Sequence, residues 1–145
     1  MADLIPALPT KIQLLIVSAD RALVNETVDE VEIPGVDGYF GVLPGHTSLL
    51  ALLGAGELWY RQGQEKHYFV MAFGFAEVQP ERVSILAETA ERADEIDLAR
   101  AEAAKRRAQQ RLQSPTMDMD AERARISLLK SLIRLQVAAR VKIRS

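Results

Sequence analysis

The chain has 145 residues, 48% of them apolar and 26% charged, with a net charge of −2 and no cysteine. This composition fits a globular chain and not a disordered one, and the missing thiols exclude disulfides, thiolate metal sites and thiol catalysis. The length suits one ordinary domain or two small ones, with a core large enough to hold without cross-links.

Taken in order, residues 1–6 lack the basic start and apolar centre of a signal peptide. Residues 11–17 are nearly all apolar, which predicts a strand covered on both faces. A turn at Ala19-Asp20 precedes a second strand over 21–25. Residues 30–33 alternate, with Val31 and Ile33 inward. The stretch from Val31 to Gly56 is cut by Pro34-Gly35, Asp37-Gly38 and Pro44-Gly45. Proline fixes φ and glycine accepts positive φ, so each pair forces a reversal, with strands expected over 38–43 and 48–53. Residues 57–61 and 66–71 form a hairpin around Gln62-Gly63-Gln64, and 73–79 and 82–87 another around Pro80-Glu81. Many short strands with regular turns and no intervening helix predict an antiparallel β-sandwich.

Near Glu91 the character changes. Residues 93–113 contain no glycine or proline and are rich in alanine, glutamate, arginine and lysine, which predicts a helix. Asp94 is the expected cap, with Asp97 in the positive first turn. Ser114-Pro115 ends it. Asp118 or Asp120 caps a second helix running to about residue 142, and two helices joined by so short a link lie antiparallel or open as a unit. Ala101, Ala104, Ala108 and Leu112 form a small-residue seam. On the second helix Ala121, Ala124, Leu128, Leu132, Leu135 and Ala139 form the matching face. Ile126, Leu129, Ile133 and Val137 widen that face beyond what one helix covers, so the surplus meets the sandwich, another protein, or a second arrangement of the same helix. The chain thus divides into a sandwich over 1–90 and an α-helical hairpin over 91–145, an α+β architecture. Through Ala90 five Lys/Arg oppose twelve Asp/Glu, net −7, and from Glu91 onward thirteen oppose eight, net +5. Opposite signs suggest different partners for the two parts, although helices rich in Lys and Arg give the same imbalance.

Enzyme motifs are missing. There is no phosphate-binding glycine loop, no Gly-x-Ser-x-Gly turn and no His-Glu-x-x-His pair. His46 and His67 sit apart, one in a turn and one on a strand. No run approaches the roughly 20 apolar residues that cross a bilayer, so any membrane link comes through a partner. The strongest local chemistry is Ile96-Asp97-Leu98-Ala99-Arg100-Ala101, where Asp97 and Arg100 share a helical face. Arg107 lies two turns further on. Arg123, Ser127, Lys130 and Arg134 form a basic stripe on the second helix. Guanidinium groups match phosphate oxygens, and a carboxylate accepts from an amine or a hydroxyl. The alternative is helix capping by Asp97 beside a solvated basic face.

Gly38, the run Gly41-Val42-Leu43-Pro44-Gly45-His46 and the apolar run ending at Gly56 resemble the signature of the epsilon subunit of the bacterial F-type ATP synthase. The resemblance covers nearly the whole chain. It implies a non-catalytic rotor subunit at the foot of the central stalk of a proton-translocating enzyme. Its partners would be the gamma subunit, the c-ring and the alpha/beta catalytic head, with no nucleic acid and no required cofactor. The position implied is peripheral, on the cytoplasmic side of the cell (inner) membrane. The helices would act as a brake, permitting turnover when folded down and blocking ATP hydrolysis when extended. By the same resemblance Val36, Asp37, Gly38 and Tyr39 face the c-ring, and His46 and Thr47 pack on gamma. Arg123, Lys130 and Arg134 would reach acidic segments of beta. Ile96, Asp97, Arg100 and Ala101 match a motif associated with ATP binding, which Arg107, Lys130 and Arg134 would assist, with ATP as a regulatory ligand. Lys130 stands where an arginine is expected, and Tyr39 where some relatives are acidic. The competing reading is a free-standing ATP-binding sensor.

Overall fold

The computed structural model describes residues 7–114 and 120–144, with side chains as far as Val141. Seven strands come first: β1 (Ile12–Ser18), β2 (Ala22–Val28), β3 (Glu30–Gly35), β4 (Gly38–Val42), β5 (Leu49–Gln62), β6 (Glu65–Val78) and β7 (Arg82–Arg92). A 3₁₀ turn at Ala93–Glu95 leads to helix α1 (Leu98–Gln113) and then α2 (Ala121–Arg144). The strand order is β2-β1-β7-β6-β5-β3-β4. Neighbours are antiparallel except β1 and β7, which run parallel. The sheet rolls back on itself. At its seam the Asp29 amide donates to the Arg61 carbonyl at 2.8 Å, and Gln62 Nε2 donates to the Thr27 carbonyl at 3.1 Å.

Strand β1 is not covered on both faces. Ile12, Leu14 and Ile16 are fully buried and Gln13 is exposed, so the strand alternates like a sandwich strand with one wet face. Its buried residues meet Leu58 and Tyr60 of β5, Phe69 and Met71 of β6, and Val83 and Ile85 of β7 in one continuous core. Burial pushes the Tyr60 phenol above its ordinary pKa.

The four strands expected over 48–53, 57–61, 66–71 and 73–79 are two long ones. The glycines between them mark a bend instead of a chain reversal. Pairing passes from Leu53–Gly74 to Ala55–Ala72, and from Ala72–Thr89 to Gly74–Ala87, with register unchanged. At the bend Phe73 has φ 64° and Gly74 has φ 115°, consecutive left-handed residues. A β-carbon on Gly74 would run into the Leu86 carbonyl, so only glycine fits. The inward positions change parity here. In β6 Phe69 and Met71 point inward before the bend, and Ala76 and Val78 after it. One strand therefore lines the core along its whole length while its outer face changes character.

The outer face has two parts. On one side of the bend Leu52, Phe75 and Leu86 form a cross-strand row, with Leu50 beside it, all substantially exposed. On the other side the helical hairpin lies over the sheet. Asp97, not Asp94, caps α1, its Oδ1 accepting from the Arg100 amide at 3.1 Å. Asp94 falls inside the preceding 3₁₀ turn. Asp120 caps α2, accepting from the Arg123 amide at 3.1 Å, while Asp118 and Pro115 lie outside the described residues. The α1 seam is as expected, with Ala101 and Ala108 buried. The α2 face is rotated from the expected one: Ala124, Ser131, Val137 and Ala138 are buried, whereas Leu129, Leu132 and Ala139 are exposed. A serine occupies the seam because its hydroxyl donates to the Ser127 carbonyl one turn back, at 2.8 Å.

Candidate functional site

Three successive cross-strand rows set the surface under the hairpin. Ala55, Ala72 and Thr89 form the first, Gly56, Met71 and Ala90 the second, and Glu57, Val70 and Glu91 the third. Side chains alternate across a sheet, so the first and third rows face the helices while Met71 points into the core. The first row carries only small side chains. The helices cannot close down on it, and a cleft of about 530 Å³ remains between sheet and hairpin.

Among the described residues, the basic side chains lining this cleft are Arg100 and Arg107 from α1 and Lys130 and Arg134 from α2. Ser127, Ser131 and Thr89 add hydroxyls, and Ala55 and Ala72 give an apolar floor. Arg134 Nε donates to Glu91 Oε1 at 2.5 Å. The Lys130 ammonium lies 5.6 Å from the centre of the Phe73 ring, a cation–π contact. The volume falls within the range of small-molecule pockets, and the donor set suits an anion of several oxygens.

The residues named from sequence therefore separate. Arg100, Arg107, Lys130 and Arg134 come together from two helices. Ile96, Asp97 and Ala101 do not line the cleft. Ile96 packs with Val70, Ala93 and Val137 in a small apolar cluster, Asp97 caps α1, and Ala101 is fully buried. Arg123 is exposed in the first turn of α2. Sequence reasoning missed Asp20 and Glu91, the acids that line the cleft among the described residues, and Thr89. Spacing along the chain carries no sign of them, because the β1–β2 turn and β7 meet the helices only in the folded protein.

Two other predicted sites lie on the sandwich. Val36, Asp37, Gly38 and Tyr39 make the exposed β3–β4 turn. Tyr39 folds back across β5, where its hydroxyl accepts from the Glu57 amide at 3.2 Å. His46 and Thr47 belong to the turn before β5. His46 Nδ1 lies 2.7 Å from the Thr47 carbonyl, and the Gly45 amide ties this turn to the Pro80 carbonyl at 2.8 Å. His67 stacks on Tyr60 with ring centres 4.8 Å apart. Among the described residues no cluster of His, Asp or Glu could hold a metal ion, and no helix is long and apolar enough to cross a membrane.

The beta-sandwich domain of the ATP synthase delta/epsilon chain matches residues 11–93, and its long alpha-helix domain matches residues 94–139. The chain belongs to the delta/epsilon family of ATP synthase subunits. The epsilon chain of Herpetosiphon aurantiacus is 47% identical over 127 residues, 88% of this chain and 93% of that one. The epsilon chain of Koribacter versatilis is 50% identical over 99 residues, 68% of this chain and 70% of that one. A chain in the Euglena gracilis mitochondrial ATP synthase OSCP/F1/c-ring assembly superposes with a TM-score of 0.70 at 26% identity, covering 96% of this chain and 84% of that one. A chain of the Tetrahymena thermophila central stalk and c-ring shares the fold, with a TM-score of 0.58 at 14% identity, covering 91% and 99%. The chain is thus similar throughout to epsilon subunits of the F-type enzyme, and its two-part fold is theirs.

Proposed function

We propose that this epsilon-type chain is a non-catalytic rotor subunit of a proton-translocating F-type ATP synthase, that its sandwich couples the c-ring to the gamma subunit, and that its hairpin is a brake on ATP hydrolysis. The observation that carries the reading is the division of the outer sheet face at the Phe73–Gly74 bend. One half is covered by a basic hairpin, and the other leaves Leu50, Leu52, Phe75 and Leu86 open. An uncovered apolar row is the mark of a protein interface. His46 and Thr47 lie on the turn that enters the same strand, so gamma binding there uses one continuous surface. The β3–β4 turn Val36, Asp37, Gly38 and Tyr39 projects from the sandwich and is the part offered to the c-ring. Arg123, Lys130 and Arg134 supply positive charge for acidic segments of the beta subunits once the hairpin lifts, a contact that weakens with salt. The subunit is held at the cytoplasmic face of the cell membrane through the complex.

ATP fits the reading as a regulatory ligand. The cleft gathers Arg100, Arg107, Lys130 and Arg134 from both helices, so a polyanion bound there bridges them and favours the folded-down hairpin. A ligand selective for one state stabilises it by RT ln(1 + [L]/Kd), about 2.7 kcal/mol at 100 times Kd. The same cleft also favours a second reading, a free-standing ATP sensor. Co-purification decides between them. Under the rotor reading the tagged chain retains gamma at stoichiometric levels, and under the sensor reading it binds ATP but leaves gamma in the flow-through.

A further inference from the structure

The row Glu57–Val70–Glu91 runs straight across β5, β6 and β7. Above it lie Arg140, Val137 and Arg134, spaced by three residues on one face of α2. Arg140 Nη1 reaches Glu57 Oε1 at 3.5 Å, Val137 packs with Val70, and Arg134 Nε reaches Glu91 Oε1 at 2.5 Å. The two repeats are commensurate. Three adjacent strands span roughly 9.6 Å at a spacing of about 4.8 Å. Six helical residues rise roughly 9 Å at about 1.5 Å each. An acid–valine–acid row on the sheet thus meets a base–valine–base face on the helix position for position.

We propose that this row is a dedicated dock that fixes α2 in a single register on the sandwich and withholds Arg134 and Arg140 from other acidic surfaces. A shift by one helical turn, about 5.4 Å, separates both ion pairs and removes Val137 from Val70 together, so the dock engages or releases as a unit. Glu57 is 5% exposed, and a carboxylate that buried requires charged or hydrogen-bonding partners, of which Arg140 is one. Arg134 also lines the cleft. While it holds Glu91 it cannot reach an acidic partner chain, so docking and the braking contact exclude each other. The inference rests on the hairpin being a movable unit. If that reading fails, deleting the helices leaves hydrolysis in the complex unchanged whatever the dock does, which tells the two failures apart.

The test uses the full-length chain, which has no cysteine, with spin labels on cysteines introduced at the exposed Gln64 and Gln136. Dipolar spectroscopy then reads the distance from the sandwich to α2. The unaltered dock gives one narrow distance. Glu91→Gln, Arg140→Glu and Arg134→Glu each move roughly half of the molecules or more to longer distances. The exchange Glu91→Arg with Arg134→Glu restores the original distance. Glu91→Gln keeps the shape of the side chain, so it reports even if a charge reversal prevents folding. An original distance retained in Glu91→Gln and Arg140→Glu overturns the proposal, as does an exchanged pair displaced as far as Arg134→Glu alone.

Discussion

The Tyr39 hydroxyl occupies the space that a β-carbon on Gly56 would fill. The exposed β3–β4 turn is thereby clamped to the middle of β5, with the Glu57 amide as its hydrogen-bond donor. Gly56→Ala should displace the tyrosine and cost about 1–3 kcal/mol, the range for forcing extra volume into a packed site. Denaturant unfolding measures this as a lower midpoint at unchanged slope. Tyr39→Phe in the Gly56→Ala background should recover part of the loss, since it removes the atom in conflict.

Asp97 and Arg100 belong to one sequence motif but do different work. Asp97→Ala removes the cap of α1 and should cost about 1 kcal/mol of helix stability, visible as reduced helical dichroism on heating. Arg100→Ala removes a solvent-facing guanidinium and should leave stability within about 0.5 kcal/mol. In calorimetric titration with ATP, Arg100→Ala should weaken binding roughly tenfold or more, the scale of a lost charged hydrogen bond. Equal ATP affinity in Arg100→Ala and in the parent chain would show that the cleft is not the nucleotide site.

How far the sequence discloses this arrangement depends on the range of each interaction. The turns at Gln62-Gly63 and Pro80-Glu81, the alternation of β3 and the two helices follow from neighbouring residues, and the structure has them all. The bend at Phe73–Gly74 was not legible, because a glycine that ends a strand and a glycine that bends one leave the same local signal. The parallel pairing of β1 with β7 joins residues about 70 apart. Four cleft residues could be named because positive charges at helical spacing share a face. Glu57 and Glu91 could not, since each is an ordinary strand acid until α2 lies across it.

Asp29 accepts from the Lys11 ammonium and from the Gly63 amide, which together hold its carboxyl below the usual carboxylate range. A carboxylate whose folded-state pKa is depressed adds stability above its unfolded pKa of roughly 4 and loses it as pH falls through the folded value. The parent chain should therefore lose thermal stability on acidification below about pH 4 more steeply than Asp29→Asn. Parallel melting curves for the two proteins across that window would contradict this assignment.

Phe75 stands in the middle of the open apolar row, 44% exposed, between Leu52 and Leu86. Phe75→Asp should change the stability of the isolated chain by less than about 1 kcal/mol, because little packing is lost. It should abolish capture of the gamma subunit, since it places a charge at the centre of a dry interface. Retained gamma binding would move the interface elsewhere on the sandwich.

The hairpin is proposed to restrain ATP hydrolysis by the assembled enzyme. Strand β7 continues to Arg92, and Glu91 and Arg92 pair with β6, so a deletion beginning at Asp94 leaves every strand whole. The steady-state rate of ATP hydrolysis by the complex carrying this truncated chain, compared with the complex carrying the full chain, is the direct measurement. If the hairpin is a brake, the rate is several-fold higher with gamma still bound and assembly unaffected. An identical rate in the two complexes would contradict it.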